Sequence, residues 1–310
     1  GPDALTPPAL SRAVGAFAFQ EAALGSRGAA LQFGVRADRY AIESRDDARF
    51  GDGVARTFDA VSGSAGVRVP LAASLTAALT AARSFRAPTV EELFSAAPHA
   101  GTGSVEFGDA GLRAERGRSL ELVLNHVSSR ISGQAAAWIN RVDHHVHLDF
   151  VRDTVIGEAT LPVYVYAQAP ATLRGAEVAV EVALTRTVAA ALRGDVLHAQ
   201  QQDGTPLSFM PPASLGFSLR RDDGRWSIGG DVHHDFAQRR TGDAAEAPTD
   251  AHTLLRVDAG LRTRIANRPQ SITLRIDNLT DVVYHEATSR TRDFAPAAGR
   301  NIVLLYRAWF

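Results

Sequence analysis

The chain has 310 residues, of which 45% are hydrophobic and 22% charged, with a net charge of −1 and a mean hydropathy of −0.08. The absence of cysteine excludes disulfides and thiolate metal sites, and the balanced charge gives no reason to expect a nucleic-acid partner. No apolar run reaches about 18 residues, which excludes a transmembrane helix but not a membrane β-barrel, whose strands alternate in polarity.

Strand-like alternation begins after a short leader and continues to the end of the chain. Residues 1–11 are expected to form a loop, and the opening Gly1-Pro2 is typical of an expression-vector remnant. Leu31, Phe33 and Val35 then alternate with polar or small residues, and a period of two is a strand period. We predict about thirteen strands, at residues 12–24, 28–42, 58–69, 72–84, 118–128, 132–150, 161–184, 187–201, 212–221, 225–238, 251–265, 270–277 and 299–310.

The lengths of the connections distinguish a membrane barrel from a soluble β-sandwich, which would show the same local alternation. Short and long connections alternate strictly along the chain, as in outer-membrane barrels with tight periplasmic turns and long extracellular loops. The predicted short connections are 69–71, 128–133, 184–187, 220–225 and 267–270. The predicted long connections are 43–57, 85–117, 152–162, 201–212, 239–250 and 278–299. The predicted fold class is therefore all-β, an antiparallel transmembrane β-barrel.

The last predicted strand ends on Phe310 with no polar tail. In a soluble sheet, such an apolar terminal strand would be an aggregation-prone edge. If the short turns are periplasmic, this strand runs downward, and counting back about thirteen strands makes the first strand run downward too. A barrel that enters from the periplasm starts with an upward strand. We therefore expect residues 12–310 to be the C-terminal part of a larger barrel whose plug and first strands are absent.

Two segments resemble conserved stretches of TonB-dependent outer-membrane receptors. Phe85 to Phe94, which reads Phe-Arg-Ala-Pro-Thr-Val-Glu-Glu-Leu-Phe, is similar to one of them. Asp277 to Asp281, with the later Gly299-Arg300-Asn301 and the terminal Phe310, is similar to the family's C-terminal close. The resemblance implies a plugged barrel of about 22 strands in the bacterial outer membrane. It also implies that TonB drives import through an N-terminal part of the receptor and that the protein has no enzymatic activity. The implied partners are outer-membrane lipid and the barrel-assembly machinery, which acts on the strand that ends at Phe310.

A finer resemblance points to the zinc-receptor branch of that family. Pro98-His99-Ala100, followed by Glu106 and Asp109, is similar to a stretch of that branch, and so is the segment from Leu161 to Glu177. Gly101 departs from the pattern, and residues 284–288 match only a degenerate form of another motif. The resemblance implies that zinc, free or complexed, is the transported ligand, and that His99 is a plausible ligand for it. No tightly bound cofactor is expected.

The segment around His145 carries the densest set of potential metal ligands. Asp143, His145, His147 and Asp149 share one phase of the alternation, and neutral imidazole together with carboxylate suits Zn²⁺. The opposite phase carries Trp138, Val142, Val146 and Leu148, which we expect to face lipid, so that the polar phase faces the lumen. A polar lumen wall without any metal would give the same pattern.

A second lumen-facing set is predicted on the strand at 225–238. Asp231 and His233, with Asp235, alternate with apolar residues, whereas His234 falls on the lipid phase. His285 in the last long loop could join this set from above. The candidate metal ligands are therefore His99, Asp143, His145, His147, Asp149, Asp231 and His233.

The sequence therefore predicts TonB-dependent import of a scarce metal, most simply zinc. An iron–siderophore or haem receptor is the alternative within the class, although such a site would favour aromatic and arginine-rich loops. A passive porin or adhesin barrel is an alternative from another class. An outer-membrane enzyme is a third, but the sequence has no nucleophile elbow or paired acid motif.

Overall fold

The computed structural model describes residues 4–26, 28–242, 245–292 and 294–309. Thirteen strands form one antiparallel sheet in chain order, which confirms the predicted fold class and strand number, and the sheet has β1 at one edge and β15 at the other. The strands of this sheet are β1 (Ala9–Leu24), β2 (Ala29–Ser44), β3 (Ala55–Ala72), β4 (Leu75–Arg86), β7 (Glu115–Val127), β8 (Ile131–Ile156), β9 (Ala159–Ala183), β10 (Val188–Gln201), β11 (Ser214–Asp222), β12 (Trp226–Asp235), β13 (His252–Ile265), β14 (Arg268–Asp277) and β15 (Asn301–Ala308).

The register of the strands gives the sheet one apolar face and one polar face. Leu120, Leu122 and Leu124 on β7 point to one side, because successive side chains of a strand alternate, and all three are exposed. Ser119 and Glu121 point to the opposite side. The same separation recurs at the last strand, where Ile302, Leu304 and Tyr306 share a face and are all exposed. An exposed apolar face opposite a polar one is the pattern of a barrel wall between lipid and lumen.

The connections at one end of the sheet are tight. Ala266 and Asn267 join β13 to β14, and both have positive φ angles, 49° and 61°. This is the conformation of a two-residue type I′ turn, which matches the twist of paired strands. At the other end lie the long segments 45–54, 87–114, 202–213, 236–251 and 278–300.

One predicted long loop is wrong. Residues 152–162 were expected to be irregular, but β8 and β9 pair almost to their ends, with Ile156 opposite Ala159 around the Gly157-Glu158 turn. These strands have 26 and 25 residues, so the hairpin extends far beyond its neighbours. β-branched and aromatic residues of this segment pair across the hairpin and favour strands. The charged and glycine residues of the same segment had led to the prediction of a loop.

Other boundaries shift by a few residues. β1 begins at Ala9, inside the predicted leader loop, and the turn expected at 69–71 lies after Ala72, because β3 continues through Pro70 with a register shift. Phe310, the predicted end of the last strand, lies outside the described residues.

The segment between β4 and β7 is folded rather than irregular. It holds the short helix α1 (Val90–Phe94) and two small strands, β5 (Ala96–His99) and β6 (Ser104–Phe107). Thr89 caps α1, since its side chain accepts a hydrogen bond from the Glu92 backbone N–H while the Glu92 carboxylate accepts one from Thr89 N–H. No helix within the described residues is long and apolar enough to cross a membrane.

This folded loop is anchored to the wall of the sheet in two ways. Leu93 of α1 is buried in a cluster with Ile42, Phe58, Leu112 and Val146. In addition, β6 pairs in parallel with β9, with Glu106 opposite Tyr164. The loop residues singled out by sequence are therefore held against the long hairpin at the loop end of the sheet.

Candidate functional site

The most completely hydrogen-bonded side chain among the described loops is Glu106. Its side chain is 1% exposed, although it lies on a loop strand. It accepts hydrogen bonds from three neighbours on its own loop, from the last long loop and from β9. The distances are 2.9 Å from His99 Nδ1, 3.2 Å from Thr102 Oγ1, 3.0 Å from Ser104 Oγ and 2.8 Å from Arg290 Nη2 to Oε1, and 3.1 Å from Tyr166 OH to Oε2.

The charge of Glu106 is stabilised by these partners. Burial alone would raise the pKa of the carboxyl group, but the hydrogen bond from His99 and the positive charge of Arg290 lower it to about 2. Glu106 is therefore ionised at neutral pH. A buried carboxylate needs such compensation, and here the compensation ties three separate parts of the chain together.

The contact with Glu106 orients His99. Nδ1 faces the carboxylate, so in the neutral ring Nδ1 carries the proton and Nε2 has the lone pair. The His99 side chain is 38% exposed, and Nε2 has no hydrogen-bond partner among the described residues. Histidines that bind metals in proteins are held in this way, with the second nitrogen donating to a carboxylate.

The β8 candidates do not share one face, and this part of the prediction is wrong. The register of β8 and β9 shifts after Val142, and His144 has a φ of 58°, so that a bulge interrupts the alternation. Asp143 lies opposite Arg116 on the face that carries Leu120, and it pairs with Arg118 at 3.1 Å.

His145 lies beyond the bulge and contacts the other face. Its Nδ1 is 3.3 Å from Glu115 Oε1, and Glu115 shares the phase of Ser119 and Glu121. Trp138 also belongs to that polar face, because it pairs with Glu121 rather than with a leucine. The expectation that Trp138 and Val142 face lipid is therefore wrong, since pairing with β7 fixes their side.

His147 and Asp149 pair with each other. His147 Nε2 is 3.0 Å from Asp149 Oδ1, and the ring of His147 stacks on that of His145 with a centroid separation of 6.4 Å. Both ring nitrogens of His147 are occupied, because Nδ1 lies 3.3 Å from the His145 carbonyl oxygen. His145 is thus better placed than His147 to accept an incoming ligand.

The β12 set lies on the polar face as predicted. Asp231 pairs in register with Ser218 and Arg256, and His233 with Gly216, whereas Val232 lies on the opposite face with Leu255. His233 Nε2 is 3.2 Å from Asp235 Oδ1. Asp231 lies two residues further from the loop end of β12 than His233 does. It forms no ion pair with any of the described residues.

Sequence reasoning missed His252, the first residue of β13. It pairs in register with Asp235, and its Nε2 is 3.1 Å from Asp235 Oδ2. Its ring stacks on Tyr284 at 4.3 Å between centroids. The signal in the sequence was weak, because the partner lies 17 positions away, across a loop whose register no alternation pattern fixes. Glu115 and Arg290 were missed for the same reason.

His285 lies near this group but is engaged with its own loop, since its Nδ1 contacts the Arg292 carbonyl oxygen. Among the described residues, no three histidine, aspartate or glutamate side chains are already arranged to hold a metal ion. Apart from Asp143 and Asp231, the candidate ligands thus fall into three separate groups, around Glu106, around Glu115 and around Asp235.

The fold and these groups define a class of protein: a lipid-facing antiparallel barrel wall with structured loops that gather histidines and carboxylates at one end. Residues 5–279 match the family model described as TonB dependent receptor-like, beta-barrel. The chain belongs to this TonB-dependent receptor family. Its members are outer-membrane β-barrel proteins of Gram-negative bacteria, and they are receptors or transporters rather than enzymes. The predicted localisation in the outer membrane is confirmed.

Solved structures share the fold at low sequence identity. The copper transporter OprC has a TM-score of 0.80 and 19% identity over 95% of this chain and 47% of its own. The FrpB iron transporter from Neisseria meningitidis has a TM-score of 0.71 and 15% identity over 96% of this chain and 45% of its own. The ferric-catecholate import receptor Fiu from E. coli has a TM-score of 0.69 and 16% identity over 96% of this chain and 44% of its own. The chain thus spans about half the length of these receptors, and such likenesses establish the fold alone.

Proposed function

We propose that this chain forms part of the barrel and extracellular loops of an outer-membrane importer of a divalent metal, most simply zinc, driven by TonB. Family membership supports transport by a TonB-dependent receptor. The finer assignment is supported by His99, whose Nδ1 is held by a buried, ionised Glu106, which leaves the lone pair of Nε2 available to a metal.

The donor atoms in this chain favour zinc over softer metals. The chain has ten histidines, no cysteine and one methionine. Imidazole and carboxylate ligands suit Zn²⁺, whereas thiolate and thioether ligands select Cu(I). Sites gathered from several loops would bind moderately and release their cargo, as import requires. TonB would act on the plug, and the barrel-assembly machinery would recognise the last strand, β15.

One observation favours a second candidate, import of an iron complex. A pocket of about 370 Å³ opens beside Glu106, and its lining includes Tyr164, Phe209, Arg290 and Phe294. Arg290 lies over the Tyr164 ring at 5.7 Å. Aromatic rings with a guanidinium group suit a flat anionic chelator. These are the aromatic and arginine side chains that an iron–siderophore site would favour.

The proposal is tested by measuring the uptake of radioactive zinc in cells that carry the complete receptor as their only TonB-dependent receptor for zinc. We expect His99→Ala to weaken the apparent affinity at least about tenfold, because a ligand is removed, and Glu106→Gln to have a smaller effect through the orientation of the ring. His126→Ala is the control, since His126 shares the lipid-facing phase of Leu124.

Unchanged zinc uptake in His99→Ala would remove this residue from the site. Loss of uptake of a ferric chelate in Arg290→Ala, with zinc uptake absent in the wild type, would establish the iron-complex alternative instead.

A further inference from the structure

A second group of histidines and a carboxylate lies at the loop end of β12 and β13, apart from the Glu106 group. Asp235 stands between two rings, with His233 Nε2 at 3.2 Å from Oδ1 and His252 Nε2 at 3.1 Å from Oδ2. All three residues lie on the polar face of the sheet, because His233 and Asp235 share one phase of β12 and His252 pairs with Asp235.

His252 is buried without being satisfied. Its side chain is 9% exposed, and neither ring nitrogen makes an aligned hydrogen bond among the described residues. The 3.1 Å approach to Asp235 is therefore a close contact without hydrogen-bond alignment. Buried polar atoms are normally paired, so an unpaired imidazole at this depth calls for a missing partner.

The missing alignment argues against a hydrogen bond between these atoms, and their spacing is compatible with a metal ion that bridges them. Zinc binds imidazole nitrogen and carboxylate oxygen at about 2.0–2.2 Å, so two adjacent ligand atoms of a tetrahedral site lie about 3.3–3.6 Å apart. The Nε2–Oδ2 separation of 3.1 Å is slightly shorter, so a small side-chain movement would admit the ion. His233 could hold the other oxygen of the same carboxylate, as groups around a metal ligand commonly do.

There is room for an ion and its remaining ligands. His252 and Asp235 line a pocket of about 260 Å³, whose wall also includes His285 and Glu286. His252 and His285 further line a neighbouring pocket of about 340 Å³ together with Asp250. Water or a carboxylate from these walls could complete a coordination shell that is open on one side.

We propose that Asp235 and His252 form a second divalent-metal site at the rim of the lumen, with His233 positioning the Asp235 carboxylate. The proposal rests on the proposed import of a divalent metal. The two sites share one segment, because the loop between β14 and β15 carries Tyr284 against His252 and Arg290 against Glu106. One loop therefore contacts both the Glu106 group and the proposed rim site.

The test is the amount of zinc bound by the purified receptor, measured by equilibrium dialysis and metal analysis at low micromolar zinc. In a His99→Ala background we expect one bound equivalent to remain. Adding His252→Gln should remove it, and adding Asp235→Asn should weaken it at least about tenfold. His234→Gln is the matched control, because His234 lies next to this group but on the opposite face, where it bonds to Thr253.

Heat modifiability on gels first establishes that each variant is a folded barrel, and Asp235→Asn serves if His252→Gln fails to fold. A bound equivalent that survives both substitutions would overturn the rim site, as would the absence of any zinc in His99→Ala. Neither result affects zinc uptake through His99. Failure of wild-type cells to take up zinc, with binding at His252 intact, would instead overturn the proposed function alone.

Discussion

At the scale of single residues, the feature that organises the loops is a buried carboxylate rather than a histidine. Glu106 was noted from the sequence only as a neighbour of His99. Its role depends on Arg290 and Tyr166, which lie 184 and 60 positions away. Sequence patterns give the side of a strand on which a residue lies, but they do not show which loop residues meet, because the contacts of a loop are not periodic.

Glu106 makes the packing of these loops dependent on pH. Its pKa is lowered from 4.5 to about 2, so the stabilisation it provides is fully present above pH 4.5 and is lost as the pH falls through about 2. Hydrogen-exchange protection of residues 96–107, corrected for intrinsic exchange rates, should fall across that interval. Glu106→Gln should show lower protection with no such pH dependence. Equal pH profiles in the two proteins would contradict this assignment.

Removing Arg290 should cost more than an exposed ion pair would. Arg290→Ala leaves Glu106 buried without its cation, at an expected cost on the order of 2 kcal/mol of local stability. The cost is below that of a fully buried pair, because a quarter of the Arg290 side chain is exposed. The same exchange measurement at neutral pH checks this, with Arg239→Ala, whose ion pair with Asp250 is exposed, as a neutral control.

At the scale of elements, alternation predicted the sheet well, since twelve of the thirteen strands begin and end within three residues of their expected positions, and only β8 extends six residues further. It failed at β8, where the bulge at residues 143–144 separates Asp143 from His145. A one-residue change of phase exchanges the two faces of a strand. The alternation of polar and apolar residues alone does not show where a bulge inserts that extra residue. The same limit hid the register of β12 with β13, and with it the contact between Asp235 and His252.

The bulge can be tested through His144, whose φ of 58° is in the left-handed region. His144→Val should destabilise the folded barrel by about 1–2 kcal/mol, because a β-branched residue is strained there, whereas His144→Gly should be neutral or stabilising. The midpoint of unfolding in denaturant, followed by heat modifiability, measures both. Equal destabilisation by valine and glycine would indicate that the imidazole, not the backbone, matters.

At the scale of the whole molecule, the division into an apolar and a polar face is what makes the chain a membrane protein. The strand register shows which residues lie on each face: on β7, Leu122 lies on the apolar face and Ser119 on the polar face. The sequence predicted that two such faces exist. It assigned them correctly on β12 and wrongly on β8, where Trp138 was expected to face lipid although it pairs with Glu121.

Leu122→Arg should therefore lower the amount of folded receptor in the outer membrane. A charged arginine on the lipid face near the bilayer centre costs about 2–4 kcal/mol, whereas Ser119→Arg on the lumen side should be tolerated. Quantitative immunoblots of unheated outer-membrane samples give the folded fraction. Equal yields of the two variants would mean that the faces are assigned incorrectly.

The long hairpin of β8 and β9 has a consequence outside transport. Its 26-residue first strand extends about 85 Å at about 3.3 Å per residue, several times the apolar band of about 25 Å that a barrel presents to lipid. The turn at Gly157 and Glu158 is consequently the part of the hairpin that stands furthest from the cell surface. A large molecule that approaches the cell from outside would meet this tip before it reaches the histidines, so substitutions at the tip should change the outermost surface of the protein and leave the contacts of Glu106 and Asp235 unchanged.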